Sequence, residues 1–498
     1  MSFTEEHCRR LRALVQDCLA KHLYTSAVFY ADKLVTLSGS DPSDVYMLAQ
    51  AYFVSKQFRR AIVLLKAESL LEKDQRFRYL AARCLAESKE WDECLQVLGD
   101  GEVDEYVESS RQEPTSPGCE VSLYSAICLL RGRVFEALEN APRAIKWYQT
   151  ALKHDPFCYE AFQALVERHL LSNKDEQKLV LSLKFSEADS WLQLLYSCKC
   201  KKYDQTDSFE AKLEDLERNP HSESMIPSSP SPLQPSARMN EIAQGEHRQV
   251  NPSVPEAVDL DLDIVEATPG WGLTENVDVL TCKAEWLYYR GAYDEAHQIS
   301  QEVLDRDPYA SDCIPIYLAS CLELNKRNEL FLRAHKLTKE SPESALSWYA
   351  IGVYYMCTEQ FENARRYFGR ANSIDRWFAP AWVGFGNAFA AQDESDQAMA
   401  AYRTAYRCFP GLHLPLIYMG MEYMRMNNLN LAQRMFMNAL DLCPTDPLVC
   451  NELGVFAYRS GDYSEAVAWL RRAQDLVPGG RATAGQKLSD EQVCPNSS

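Results

Sequence analysis

Basic charge is in short supply in this chain of 498 residues, where 52 lysines and arginines stand against 71 aspartates and glutamates and leave a formal net charge of -19. Nucleic-acid binding through phosphates needs a basic footprint, and none is found; basic or apolar protein partners fit better. Uninterrupted apolar segments of about 18 residues are missing too, and Met1 to Arg12 is polar and charged, so neither a membrane span nor a signal peptide is predicted. The sequence reads as soluble and intracellular. Its 17 cysteines sit singly in helical patterns, as at Cys84, Cys94, Cys128, Cys321 and Cys357. Cys198 and Cys200 are the closest pair in the middle of the chain, and no second pair at zinc-site spacing joins them. Buried thiols in a reducing compartment are the expectation. The nine histidines, among them His154, His169, His335 and His413, show neither metal spacing nor a link to a nucleophile. Gly384 and Gly386 form a short GxG without a preceding strand, which removes the phosphate-loop argument. No catalytic residue, cofactor or metal ligand is predicted, and the chain is not expected to be an enzyme.

What is present is a repeat. One constant step leads from Trp348 to Trp382, Leu416 and Cys450, and a glycine follows each at Gly352, Gly386, Gly420 and Gly454. An aromatic or apolar residue comes next at Tyr355, Phe389, Tyr423 and Ala457. Alanines return at Ala364, Ala398, Ala432 and Ala466, and again at Ala371, Ala405, Ala439 and Ala473. Between them lie Phe368, Tyr402, Phe436 and Leu470, and the units close at Arg376, Pro410, Pro444 and Pro478. This is the tetratricopeptide pattern, in which a helix-turn-helix unit recurs every ~34 residues. Glycine in the first helix and alanine in the second let antiparallel helices approach closely, with large side chains filling the space around them. One such unit cannot bury its own apolar face, so the fold class predicted is an all-α superhelical solenoid with a concave surface.

The periodicity divides the chain as follows. Residues 1–100 hold N-terminal repeats: Leu11, Leu14, Val15 and Leu19 share a face of the first helix, and Ala27, Phe29, Ala31 and Leu34 mark its partner. Residues 101–118 are an acidic loop, and 119–203 continue through Gly132, Ala144, Tyr148 and Ala151 into divergent helices at Tyr159–Leu171 and Glu176–Tyr196. Residues 204–271 form an acidic, proline- and serine-rich excursion, read as mostly disordered. Its acidic run Asp259, Asp261 and Asp263 lacks the glycine and distal glutamate of a calcium loop. Ser116, Ser229, Ser231 and Thr268 each precede a proline and are candidate sites for proline-directed kinases. Residues 272–478 carry the C-terminal array, and 479–498 are a non-repeat tail.

First helices of successive units line the concave face in this fold. With Trp348 as position four, positions five, nine and twelve are Tyr349, Val353 and Met356, then Val383, Asn387 and Ala390. The next units supply Ile417, Met421 and Met424, and then Asn451, Val455 and Tyr458. This mostly apolar stripe suits an extended or helical peptide whose backbone the amides could meet, although each residue taken alone could equally pack against the next helix. Repeat co-chaperones that hold a terminal carboxylate need a lysine and an asparagine where Tyr349 and Val353 stand, so that chemistry is not expected.

Beyond the repeat, longer words occur: AVFYADKLVTLS at Ala27–Ser38, YLAARCLAESKEWDECLQVL at Tyr79–Leu98, ICLLRGRVFEALENAPRAIKWYQTALKHDPFCYEAF at Ile127–Phe162, VLDRDPYASDCIPIYLASCLELNKRNELF at Val303–Phe331 and WVGFGNAFAAQDESDQAMAAYRTA at Trp382–Ala405. In these the chain resembles the subunit-six family of the anaphase-promoting complex, repeat scaffolds of a multisubunit cullin-RING ubiquitin ligase. The resemblance implies a noncatalytic scaffold that dimerises through its N-terminal repeats. It also implies contacts with other repeat subunits and a hold on the N-terminal segment of a very small accessory subunit in the C-terminal groove. Nuclear and cytoplasmic localisation, with spindle or centrosome association in mitosis, follows from the same likeness. The sequence departs from the family after Pro478, where GGRATAGQKLSDEQVCPNSS has no repeat pattern. The tail reads as an alternative or truncated C-terminus, which puts accessory-subunit binding in question. A free-standing peptide receptor is the alternative reading.

Overall fold

The computed structural model describes residues 3–67, 70–72, 74–99, 121–186, 189–200, 208–217, 273 and 275–477. Every regular element among them is helical, running from Phe3–Ala20 to Tyr463–Leu476 with one 3-10 turn at Leu70–Glu72. Helices follow one another as antiparallel pairs, and each pair packs on the next.

The pair is built as the spacing predicts. Ala364, Ala371, Ala398, Ala405, Ala432 and Ala439 are fully buried. A Cβ added at Gly352 would lie 2.5 Å from Cε1 of Phe368, and one at Gly420 2.5 Å from the same atom of Phe436. Gly386 stands against Tyr402 and Gly132 against Tyr148 in the same way. The aromatic ring of the second helix thus lies on the bare backbone of the first, an approach any side chain would block. Gly384 is explained likewise, because Phe368 lies on it from the preceding unit.

Turns between the two helices need one left-handed residue. Gly291, Asn325, Glu359, Asp393, Asn427 and Gly461 have φ of 78°, 56°, 61°, 58°, 55° and 88°, and they recur at the repeat step. Two of these six are glycine and three are Asn or Asp, which tolerate this conformation, so only at Glu359 is the turn held by the helices it joins alone. Helix starts are more local. Asn276, Asn428 and Asp446 accept from the backbone N–H of Asp278, Leu431 and Leu448, and prolines open Pro42–Val54 and Pro447–Ser460.

Some expectations need correction. Leu14 is 37% and Phe29 58% exposed, while Cys8, Val15 and Cys18 form the buried face of the first helix. The segment read as a helix over Glu176–Tyr196 is two, Asn173–Ser182 and Ser190–Lys199, because the chain leaves the helix at an extended Leu183 and residues 183–186 carry no regular structure. Ser208–Glu217, within the proline-rich excursion, is a helix whose Phe209 ring lies 5.4 Å from that of Trp286. The loop 101–118, the acidic run, Ser116, Ser229, Ser231, Thr268 and the tail 479–498 lie outside the described residues. Among the described residues the cysteines are buried and unbridged, and burial pushes the Cys84 and Cys94 thiols up to about 12. No described helix is long and apolar enough to cross a membrane.

Candidate functional site

First helices of the pairs turn one face toward the inside of the superhelix, where they enclose a cavity of about 660 Å³. Its wall is drawn from Tyr159–Glu167, Val277–Tyr289, Ile314–Glu323, Ala345–Cys357, Ala379–Ala390 and Leu414–Arg425. Of the predicted groove residues Tyr349, Val353, Met356, Val383 and Asn387 line it. The others do not. Ile417 and Met424 are buried in the core with Val449 and Leu453 of the following unit, and Met421 and Val455 pack on that same core. Asn451 is buried and donates from Nδ2 to Glu452 Oε1 at 3.3 Å. Tyr458 is exposed and meets Tyr463 edge-on. The same repeat position therefore faces the cavity in one unit and the next helix in another.

The register extends in the other direction. One repeat toward the N-terminus from Tyr349, Val353 and Met356 stand Pro315, Ala319 and Leu322, and one further stand Thr281, Glu285 and Tyr288; all of them line the cavity. That signal was available in the sequence. Tyr289 and Tyr418 sit one place beyond the expected positions and also line the cavity.

Two kinds of surface meet there. Tyr288, Tyr289, Tyr349 and Tyr418 give the lining an aromatic part, with their hydroxyls pushed up by burial, in Tyr418 to about 12 against the opposing hydrogen bond of Asn387. Tyr418 stacks on Tyr402, whose hydroxyl donates to Asn387 Oδ1 at 2.7 Å. Acidic side chains line it as well, Glu167, Asp278, Glu285, Asp312 and Glu323, with Glu285 near Tyr289 and Glu323 near Tyr288 and Tyr418. Glu167 opens on to the cavity yet is walled in by protein, and burial followed by the nearby Asp312 raises its carboxyl to about 7. Burial also opposes the charge on Lys199, but hydrogen bonding to Tyr159 at 2.6 Å and to Asp278 at 3.1 Å holds the ammonium above its usual range. Acidic side chains set among aromatic ones suit a peptide carrying basic and apolar side chains.

Folding also gathers two clusters that sequence spacing does not show, His297 with Cys321 and Glu329, and His413 with Cys443 and Asp446. Their donor atoms are engaged within the chain. Lys326 Nζ lies 3.2 Å from the His297 ring nitrogens, where a cation would be repelled. Asp446 receives the Leu448 N–H at 2.7 Å on one oxygen and faces His413 Nε2 at 2.6 Å with the other. The first ties the helices of adjoining units together, and the second supports the helix starts at His413 and Asp446.

Comparison with known proteins agrees with this architecture. A family model described as anaphase-promoting complex, cyclosome, subunit 3 matches residues 20–101, and a tetratricopeptide-repeat model matches 419–481. The chain is 43% identical over 482 residues to anaphase-promoting complex subunit 6 of Arabidopsis thaliana, covering 95% of this chain and 81% of the relative. It is 35% identical over 483 residues to the cell division cycle protein 16 homolog of Homo sapiens, covering 94% and 69%. The crystal structure of the APC/C hetero-tetramer Cut9-Hcn1 contains a similar chain, with a TM-score of 0.76 and 32% identity over 96% of this chain and 81% of that one.

Proposed function

This chain belongs to the family of anaphase-promoting complex subunit 6 and cell division cycle protein 16, and from that premise we propose that its cavity holds the N-terminal segment of a small accessory subunit while its outer faces organise neighbouring repeat subunits. It is a repeat scaffold subunit of the anaphase-promoting complex. The observation that carries the groove reading is the cavity itself, lined both by Tyr349, Val353, Met356, Val383 and Asn387 and by acidic side chains. The similar chain Cut9 forms a hetero-tetramer with Hcn1, which supports a partner of this kind here. Tyr349, Val383, Asn387 and Tyr418 contact the segment's apolar side chains and backbone, and Glu167, Glu285 and Glu323 its basic groups. Homodimerisation belongs to the first repeats, where Leu23, Phe29, Leu37 and Val63 are exposed. Such a subunit works in nucleus and cytoplasm and joins the spindle or centrosome in mitosis, with phosphorylation at Ser116, Ser229, Ser231 or Thr268 adding charge for an arginine-rich partner.

The test is titration of a fluorescein-labelled N-terminal segment of Hcn1 against the full chain, with affinity purification from mitotic cells in parallel. Val383→Asp is expected to weaken the peptide by at least about tenfold, since it places a charge on the apolar wall. Cullin and RING subunits are expected to copurify with the unmodified chain. Equal affinity for peptide in V383D moves the binding site elsewhere. Recovery of peptide clients without any ligase subunit favours a free-standing receptor.

A further inference from the structure

The superhelix touches itself after one turn, and the touching surfaces are part of the cavity wall. Gly411 N–H donates to the His169 carbonyl at 2.9 Å, joining the end of one repeat to a turn far earlier in the chain. Arg376 pairs with Glu139 across 237 residues of sequence. Trp377 packs on the core of the earlier units, which includes Leu170 and Leu171, and meets Phe409 edge-on within its own. Arg168, pulled down by burial, is offset by the approach of Asp375. Across the seam Glu139 meets Arg376, while Arg168, paired with Glu136 on its own side, also feels the charge of Asp375. Arg168, His169, Asp375 and Trp377 all line the cavity, so the seam stands between its interior and the solvent on that side.

We propose that this seam is a clasp, in which Glu139, Arg376 and Trp377 are positioning residues that hold the superhelical turn closed and retain a peptide in the cavity. The proposal rests on the reading that the cavity binds a peptide. Closure lengthens the stay of the occupant, because a chain held inside a ring leaves either by sliding along the axis or after the seam parts. The Glu139–Arg376 pair is half-exposed, with side chains 61% and 42% accessible, so alone it contributes little. Its role is orientation: it sets Trp377 against the earlier core, and reversing one charge also places like charges on the two sides of the seam. Among the described residues, packing between helices otherwise runs mainly between neighbours in sequence, whose loss would loosen the solenoid without opening the ring; the rings of Tyr289 and His413, 6.0 Å apart, add one further contact across the turn.

The experiment uses the full chain with Glu139→Arg, Arg376→Glu and the double exchange. It reads hydrogen exchange at the Gly411 amide and the dissociation rate of the labelled Hcn1 segment. Each single variant is expected to lose Gly411 protection and to release peptide roughly threefold to tenfold faster. The double exchange is expected to restore both, which a merely structural loss would not. Fast Gly411 exchange in the unmodified chain overturns the closed seam. Loss of protection with an unchanged dissociation rate overturns retention. A protected Gly411 in a chain that does not bind the peptide overturns the groove reading and retention together, while supporting closure.

Discussion

Glu452 illustrates how a single residue is changed by its repeat. It lies 5% exposed in the helix Pro447–Ser460, and burial raises its carboxyl to about 7 against the opposing bond from Asn451. The folded chain therefore keeps a proton that the unfolded chain gives up near the ordinary glutamate value. Its contribution to stability is complete below about 4.5 and is lost as pH rises through about 7. Glu452→Gln keeps an oxygen for Asn451 and removes the charge, so it is expected to stabilise the protein at pH 8 by roughly 1–3 kcal/mol and to be neutral near pH 4. Urea denaturation at the two pH values checks this; a gain of equal size at both would place its cause outside the titration. Asn451 beside it shows how sequence position misleads, since the stripe assigns it to the groove while its amide serves the glutamate.

Helix pairs are governed by close approach. Phe368 fits the backbone at Gly352 so tightly that Gly352→Ala pushes the ring, although alanine is the better helix former. The substitution is expected to cost about 1–3 kcal/mol, measured by chemical denaturation; a neutral or stabilising result would mean that propensity outweighs the contact. This element was legible because each glycine and the ring opposite it keep one fixed separation in sequence, the same for Gly352 and Phe368 as for Gly420 and Phe436. The left-handed turns were legible at Gly291, Asn325, Asp393, Asn427 and Gly461, residue types that tolerate the conformation, but not at Glu359, where only the helices on either side impose it.

Across the whole molecule, an excess of acid and a partly apolar N-terminal surface point to protein assembly. Phe29, 58% exposed beside Tyr30 and Lys33, belongs to a second helix whose Ala27, Ala31 and Leu34 are already buried. If the first repeats pair two copies, Phe29→Asp is expected to weaken the dimer by about tenfold or more without unfolding the unit. Sedimentation at micromolar concentration distinguishes the states, and an unchanged dimer would move the interface away from this face.

The sequence by itself determined the all-α class, the repeat unit, its helix pairs and the family, because those depend on neighbours close in the chain and on a constant repeat period that survives substitution. It also contained the cavity positions from Thr281 to Asn387, since one register places them on one face of successive first helices. Tertiary structure decided where that face stops being a groove. Ile417 and Met424 fall into the core although they continue the stripe, and Tyr289 and Tyr418 meet the cavity although they break it. It alone brought Glu139 to Arg376 and His169 to Gly411. The reason is that small rotations between repeats accumulate: the twist per unit decides which side chains the next helix covers and when the solenoid returns to itself, and no single unit encodes that sum.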